Sequence, residues 1–224
     1  MPHPDPVSPQ AYWQIGQLPR SAKPLLICDV DEVLLHFMRH LREFGAERGI
    51  GLHKPIYKLH DNLVELQTGR MLSRQECSHF IQACFDTIVS HQDAVDHAAE
   101  QLAALSAHVD IVILTNLPGD HNRHAREQTL RSHALPYPVI TNTGPKGGAV
   151  AELAKTRRQA PIVFVDDSPL HLISAQKAAP QVTGLHFIAD PELYQHAPDV
   201  DGVCLKSNCW VETGQQLKEI FGAA

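Results

Sequence analysis

The sequence predicts an α/β protein: a Rossmann-like parallel sheet sandwiched by helices, with a small, mainly helical cap inserted after the first strand. Three observations lead there. Leu25 to Cys28, Val109 to Leu114 (broken only by Asp110) and Ile162 to Val165 are apolar runs. Strands buried on both faces, as in a parallel sheet covered by helices, read as such runs. Each run ends in polar groups: Asp29 and Asp31, then Thr115 and Asn116, then Asp166 and Asp167. Those groups meet at one edge of the sheet, and open α/β sheets bind ligands outside the carboxyl ends of their strands. Between the runs, apolar residues recur at spacings of three and four, the period of a helix packed on one face.

Taken in order, residues 1–23 are a Pro-rich lead with Pro2, Pro4, Pro6, Pro9 and Pro19, which favours extended structure. Tyr12, Trp13 and Ile15 are its anchors. The first strand covers 25–30, so the period of two puts Asp29 and Asp31 on one side. Val33 to Arg48 reads as a helix, with Leu34, Phe37, Met38, Leu41 and Phe44 in register and Gly49 and Gly51 stopping it. Residues 52–72, which include Tyr57, fit no period. Ser73 opens another helix with Glu76 three residues on, a capping box. Asp93 to Ala107 is a third helix, and 109–114 the second strand. A crossover between parallel strands needs about a dozen residues. The stretch 36–90 is surplus and forms the cap, leaving 24–35 and 91–224 as the core domain. After the turn Leu117-Pro118-Gly119-Asp120 come a helix over 121–133, a strand over 137–141 and a helix over 149–158. Next are the strand 161–165 and a helix from Ser168-Pro169 to Ala179, with Ser as cap and Pro in the first turn. Strands at 185–188 and 203–205 and a helix capped by Thr213 complete the chain.

Composition excludes several classes. A 43% hydrophobic and 20% charged content suits a globular enzyme. The net charge of -6, with Lys and Arg scattered, lacks the clustered basic face of a nucleic-acid binder. No apolar run approaches the roughly 18 residues needed to cross a bilayer. The Met-Pro-His-Pro start has no signal-peptide pattern, so a cytoplasmic location is expected. Five cysteines make no disulfide framework; Cys77 and Cys84 share a helix face, and Cys204 and Cys209 lack a second pair with zinc spacing. The fifteen histidines are dispersed and read as background.

Four carboxylates at one sheet edge are the informative feature. Two like charges about 4 Å apart repel by roughly 4 kcal/mol at an effective dielectric near 20. Several such pairs rival a domain stability of about 5–15 kcal/mol. Positive charge must sit among them. All-oxygen ligands suit a hard cation, and few carboxylates with water suit Mg²⁺. Lys146 offers a second, fixed charge, and an anionic substrate can then enter.

Asp29-Val-Asp-Glu-Val33, Thr115 after an apolar strand, Lys146 at the head of a helix and Asp166-Asp167 after another strand resemble the four ordered motifs of the haloacid dehalogenase (HAD) superfamily. The likeness spans about 25–190, and the motifs are specific only as a set. It implies Mg²⁺-dependent phosphoryl transfer. Asp29 would be the nucleophile, giving an aspartyl-phosphate. Asp31 would protonate the leaving oxygen and then deprotonate water. The Asp29 side chain, the Asp31 backbone carbonyl and Asp166 would hold Mg²⁺, with Asp167 in support. Thr115 and the Asn116 N–H would grip phosphoryl oxygens, and Lys146 would offset charge on nucleophile and phosphate; Lys155 is its rival, one helix further on.

Two departures stand out. Glu32 occupies a place where many members have Gly, adding a charge near the site. Val33 replaces a common Thr. Dehalogenase members lack the second Asp of the first motif, so Asp31 points to phosphate chemistry. The expectation is a phosphatase acting on a small phosphomonoester, its cap closing over the substrate. A catalytically silent protein binding a phosphorylated ligand or a protein partner, or a phosphomutase, are the alternatives.

Overall fold

In the computed structural model, residues 6–222 are described, apart from 57, 120, 158 and 159. Pro2, Pro4, Tyr57, Asp120 and Arg158, named above, lie outside the described residues. The chain begins with α1 (Pro9–Gly16) and β1 (Leu25–Cys28). The inserted segment follows: α2 (Met38–Ala46), the antiparallel pair β2 (Ile50–Leu52) and β3 (Leu63–Glu65), and α3 (Arg74–Ile88). Then come α4 (Ala98–Ser106), β4 (Asp110–Asn116), α5 (Asn122–Ser132), β5 (Val139–Asn142), α6 (Gly147–Lys155) and β6 (Ile162–Asp166). The chain closes with α7 (Pro169–Ala178), β7 (Thr183–Phe187), α8 (Pro191–His196), β8 (Val203–Ser207) and α9 (Trp210–Phe221).

Six strands form one parallel sheet in the order β5-β4-β1-β6-β7-β8. The chain starts at the centre and reverses direction across β1, so the strand order switches beside β1. That places the ends of β1, β4 and β6 side by side, with Cys28 level with Ile113 and with Val165. Alternation along β1 divides the core. Leu26 and Cys28 pack with Leu102, Leu105, Leu130 and Trp210 on one face. Leu25 and Ile27 pack with Ile15, Val150, Leu153 and Leu172 on the other. Each fully buried aliphatic side chain contributes about 1.5–3 kcal/mol relative to exposure.

The structure revises several expectations. The lead is not extended throughout: Pro9 stands at the first helical position of α1, where its missing N–H costs nothing, and Ser8 accepts from the Ala11 N–H. Of the expected anchors only Ile15 is buried, together with Ala11, while Tyr12 and Trp13 are exposed. Asp29 and Asp31 do not extend β1. Val30 O accepts from the N–H groups of Val33, Leu34 and Leu35, a tight turn that keeps the helix from starting at Val33. The apolar spacing is real, but Val33, Leu34 and Leu35 are buried in the turn and only Met38 onward is α2. The third helix likewise starts at Ala98. Thr213 is buried inside α9, whose cap is Cys209. The insert adds a small hairpin to its helices, and its Phe37, Leu41, Phe44, Phe80 and Phe85 form a cluster that also takes in Ile188 and Leu193 from the far end of the chain. The Ser73 and Glu76 capping box is present.

Two linkers join the insert to the sheet and pair with each other. His36 N–H donates to Asp93 O and Val95 N–H to Leu34 O, each at 2.9 Å, around an antiparallel bridge between Leu35 and Ala94.

Candidate active site

The ends of β1 and β6 and the start of α6 bring Asp29, Asp166 and Lys146 together. Lys146 is fully buried, and its Nζ lies 2.7 Å from Asp29 Oδ1 and 2.7 Å from Asp166 Oδ2. Asp29 Oδ1 also accepts the Val30 N–H, while among the described residues Oδ2 accepts no hydrogen bond. Asp166 Oδ1 takes the Ser168 N–H. Asp167 is buried, with Oδ2 unpartnered. Carboxylate oxygens of Asp29, Asp166 and Asp167 lie within 4.8 Å of one another.

Three acids around one ammonium are short of positive charge. Burial raises the Asp29 carboxyl to about 6; Lys146 opposes this, and Asp166 and Asp31 add to it. Burial likewise raises Asp166, and burial with Asp166 and Asp29 raises Asp167 well above the usual range. Burial alone would lower the Lys146 ammonium, but Asp166 and Asp29 hold it raised. Burial, then Asp29, also pushes up the neighbouring Cys28 thiol, which makes it a packing group rather than a reactive one.

The Thr115 hydroxyl, at the end of β4, is buried and has no partner. The Asn116 side chain is engaged with Gly144 O at 2.8 Å and with Asn142 at 2.9 Å. The Asp31 carboxylate is outside the acidic trio and turned elsewhere. It faces Arg126 Nη2, at 2.9 and 3.1 Å, and Gln92 Nε2, at 2.9 Å. Lys155, the rival of Lys146, is exposed and paired with Glu152.

Glu32 does not point its charge at the trio. Its backbone adopts φ 60°, the conformation a glycine would take there. Its side chain accepts the N–H groups of Phe37 (2.8 Å) and Met38 (2.6 Å) at the start of α2, and that of Asp190 (2.7 Å) before α8. Burial raises this carboxyl to about 7, with the Met38 and Phe37 N–H groups opposing.

Three participants were not read from the sequence: Arg126, Gln92 and His171. Arg126 and Gln92 carry no local signal, since one lies in a polar helix and the other in a linker. His171 reads, like the other histidines, as background. In the first turn of α7, it lies within 3.4 Å of Asn116 Nδ2. Burial, then Lys146, lowers it to about 4, so it is neutral at pH 7. Its place three residues after Ser168, the cap of α7, was the available clue.

A chamber of about 290 Å³ opens beside Asp167, lined by Ile56, Pro169, Leu170, Ile188, Leu193 and Pro198 among others. A separate hollow of about 1140 Å³ runs past Arg20, Ser21 and Lys155, before β1 and after α6, and is lined by none of Asp29, Asp31, Lys146, Asp166 and Asp167.

No protein-family model and no curated protein matches the sequence. Solved structures match its fold. A haloacid dehalogenase-like protein of Agrobacterium tumefaciens aligns with TM-score 0.61 and 15% identity, over 89% of this chain and 97% of that one. A haloacid dehalogenase-like family hydrolase of Streptococcus pneumoniae gives 0.58 and 14%, over 88% and 99%. The Bacillus subtilis HAD-hydrolase YfnB, bound to magnesium, gives 0.55 and 14%, over 90% and 99%. The chain therefore has the α/β fold of the haloacid dehalogenase-like hydrolases across most of its length. At these identities the likeness is one of fold.

Proposed function

We propose that the chain is a member of the HAD superfamily and a Mg²⁺-dependent phosphatase that hydrolyses a small phosphomonoester in the cytoplasm. The observation that carries this is the meeting of Asp29, Asp166 and Asp167 around Lys146, one strand away from the unpartnered Thr115 hydroxyl. The donor set fits magnesium: hard oxygens, more negative charge than one lysine balances, and an Asp167 oxygen with no partner. Asp29, Asp166 and Asp167 would hold the ion with the Asp31 backbone carbonyl. Bound there, Mg²⁺ supplies the charge that lets an anionic phosphoryl group enter and react.

Asp29 Oδ2 attacks phosphorus, and the bond to the leaving oxygen breaks. Asp31 would give that oxygen a proton, and later take one from the water that frees phosphate from Asp29, once its carboxyl leaves Arg126 and turns toward the phosphoryl group. Lys146 holds Asp29 in place and offsets its charge. Thr115 donates its hydroxyl to a phosphoryl oxygen, with the Asn116 N–H beside it. The insert, residues 36–90, serves as a cap that excludes water. Among the described residues no helix is long and apolar enough to cross a membrane, and a net charge of -6 argues against a nucleic-acid partner.

The test is turnover of 4-nitrophenyl phosphate. Wild type with Mg²⁺ should release nitrophenol, excess chelator should stop it, and Asp29→Asn should lower kcat by about 10³-fold or more. Wild type no faster than Asp29→Asn would refute the reading.

A further inference from the structure

We propose that the ester hydrolysed here is that of a compact apolar alcohol, a single ring or a short aliphatic chain, seated in the chamber beside Asp167. This rests on the phosphatase reading above and names the group that leaves.

The chamber holds about 290 Å³, at the small end of the roughly 300–1,000 Å³ usual for ligand pockets. It adjoins the reacting end of the site. Asp167 and Ser168 line it, and carboxylate oxygens of Asp167 and Asp29 lie within 4.8 Å of each other. Ile188 and Leu193, both buried, form its inner wall. Leu170 is 76% exposed and Ile56 38%, which puts them at the rim. Leu170 belongs to the first turn of α7 and Ile56 to the insert, so the chamber is complete only with the insert over the sheet. A group leaving from phosphorus at Asp29 has this apolar space next to it.

Away from Asp167 and Ser168, the walls offer few donors to a hydroxyl-bearing group. Pro169 and Pro198 have no N–H. The Ile188 N–H donates to Ser207 O at 3.0 Å, that of Leu193 to Asp190 Oδ1 at 2.9 Å, and that of Ala197 to Leu193 O at 2.8 Å. Two polar side chains on the lining are also engaged. Lys58 Nζ lies 3.1 Å from Asp61 Oδ2, and His196 Nδ1 lies 2.8 Å from Glu192 O. A sugar or polyol seated here would bury hydroxyls without partners, which costs more than burial of its carbons returns. An apolar group gives up only its contact with water, and that transfer is favourable. Charge recognition thus sits at the phosphoryl end, on Lys146 and Thr115, and shape recognition in the chamber.

The experiment uses the full chain with Mg²⁺ and follows release of phosphate from ethyl, propyl and butyl phosphate. These esters differ in carbon count but hardly in the acidity of their alcohols, so leaving ability stays level. Each methylene taken into the chamber should raise kcat/KM about fourfold, giving at least about tenfold from ethyl to butyl. Glycerol 1-phosphate, close to butyl phosphate in size but with two further hydroxyls, should do no better than ethyl phosphate. Leu170→Asn and Ile56→Asn, both at the rim and outside the core, should each cut the butyl-to-ethyl ratio about threefold or more. If either variant fails to fold, the other carries the test. 4-Nitrophenyl phosphate is measured alongside, with wild type and with Asp29→Asn. Turnover of that ester by wild type alone, together with a flat alkyl series, would overturn the inference and leave the phosphatase reading standing. So would glycerol 1-phosphate matching butyl phosphate, or a ratio that neither rim substitution changes. Inactive wild type, or an active Asp29→Asn, would overturn the underlying reading and the inference with it.

Discussion

Glu32 holds a left-handed backbone that costs an ordinary residue roughly 1–2 kcal/mol. Its carboxyl offsets this by accepting three backbone N–H groups that would otherwise be buried and unmet. A hydrogen bond of this kind contributes about 0.5–1.5 kcal/mol net, and a buried N–H left unmet costs about 1–3 kcal/mol. Glu32→Gly should therefore relieve the strain yet lower stability by about 2 kcal/mol, read as a fall in the urea midpoint. The sign of its pH dependence follows from the raised carboxyl. The folded chain keeps this proton to about pH 7, whereas a free Glu loses it near 4.5. The stabilisation is complete below 4.5 and is lost as pH rises through 7. Glu32→Gly should lack that part of the slope. Sequence alone marked Glu32 as a departure but not its direction, because a side chain's aim depends on which helix ends lie nearby. Asp29, Lys146 and Asp166 were legible because each adjoins an element with strong local pattern. Arg126 and Gln92 were not, since only folding brings them to Asp31.

At the level of elements, the site depends on how closely α6 and α7 approach. A Cβ on Gly147 would come within 2.4 Å of both Ser174 O and Ser174 Oγ. Gly147→Ala must push the helices apart, and Lys146 is the preceding residue. Overpacking of this kind typically costs 1–3 kcal/mol. The expected result is a stability loss of about 1–3 kcal/mol, with a fall in kcat larger than that loss predicts, measured by thermal melts and turnover on one preparation. Strands and long helices were legible from their periods. The hairpin β2–β3 was not, since three-residue strands give period two too little length to register. Apolar spacing of three and four extends the helix back to Val33, whereas α2 starts at Met38, because the same spacing also serves a buried turn.

At the scale of the molecule, the parallel sheet and its functional edge followed from three apolar runs and their polar ends. The N-terminal segment did not, because proline content hid a helix that Pro9 is well placed to begin. That helix lies against β5, the outermost strand on its side. A chain shortened to begin at Gln17 should expose this strand and the apolar surface under Ala11 and Ile15. It should self-associate in sedimentation experiments at concentrations where the full chain does not. Two side chains already occupy that border. Gln14 Oε1 takes the Thr141 N–H at 2.7 Å, and Arg123 Nη2 donates to Val139 O at 3.1 Å. Between them they play the part of an absent seventh strand, so a second copy approaching from this side finds those two backbone groups already spoken for.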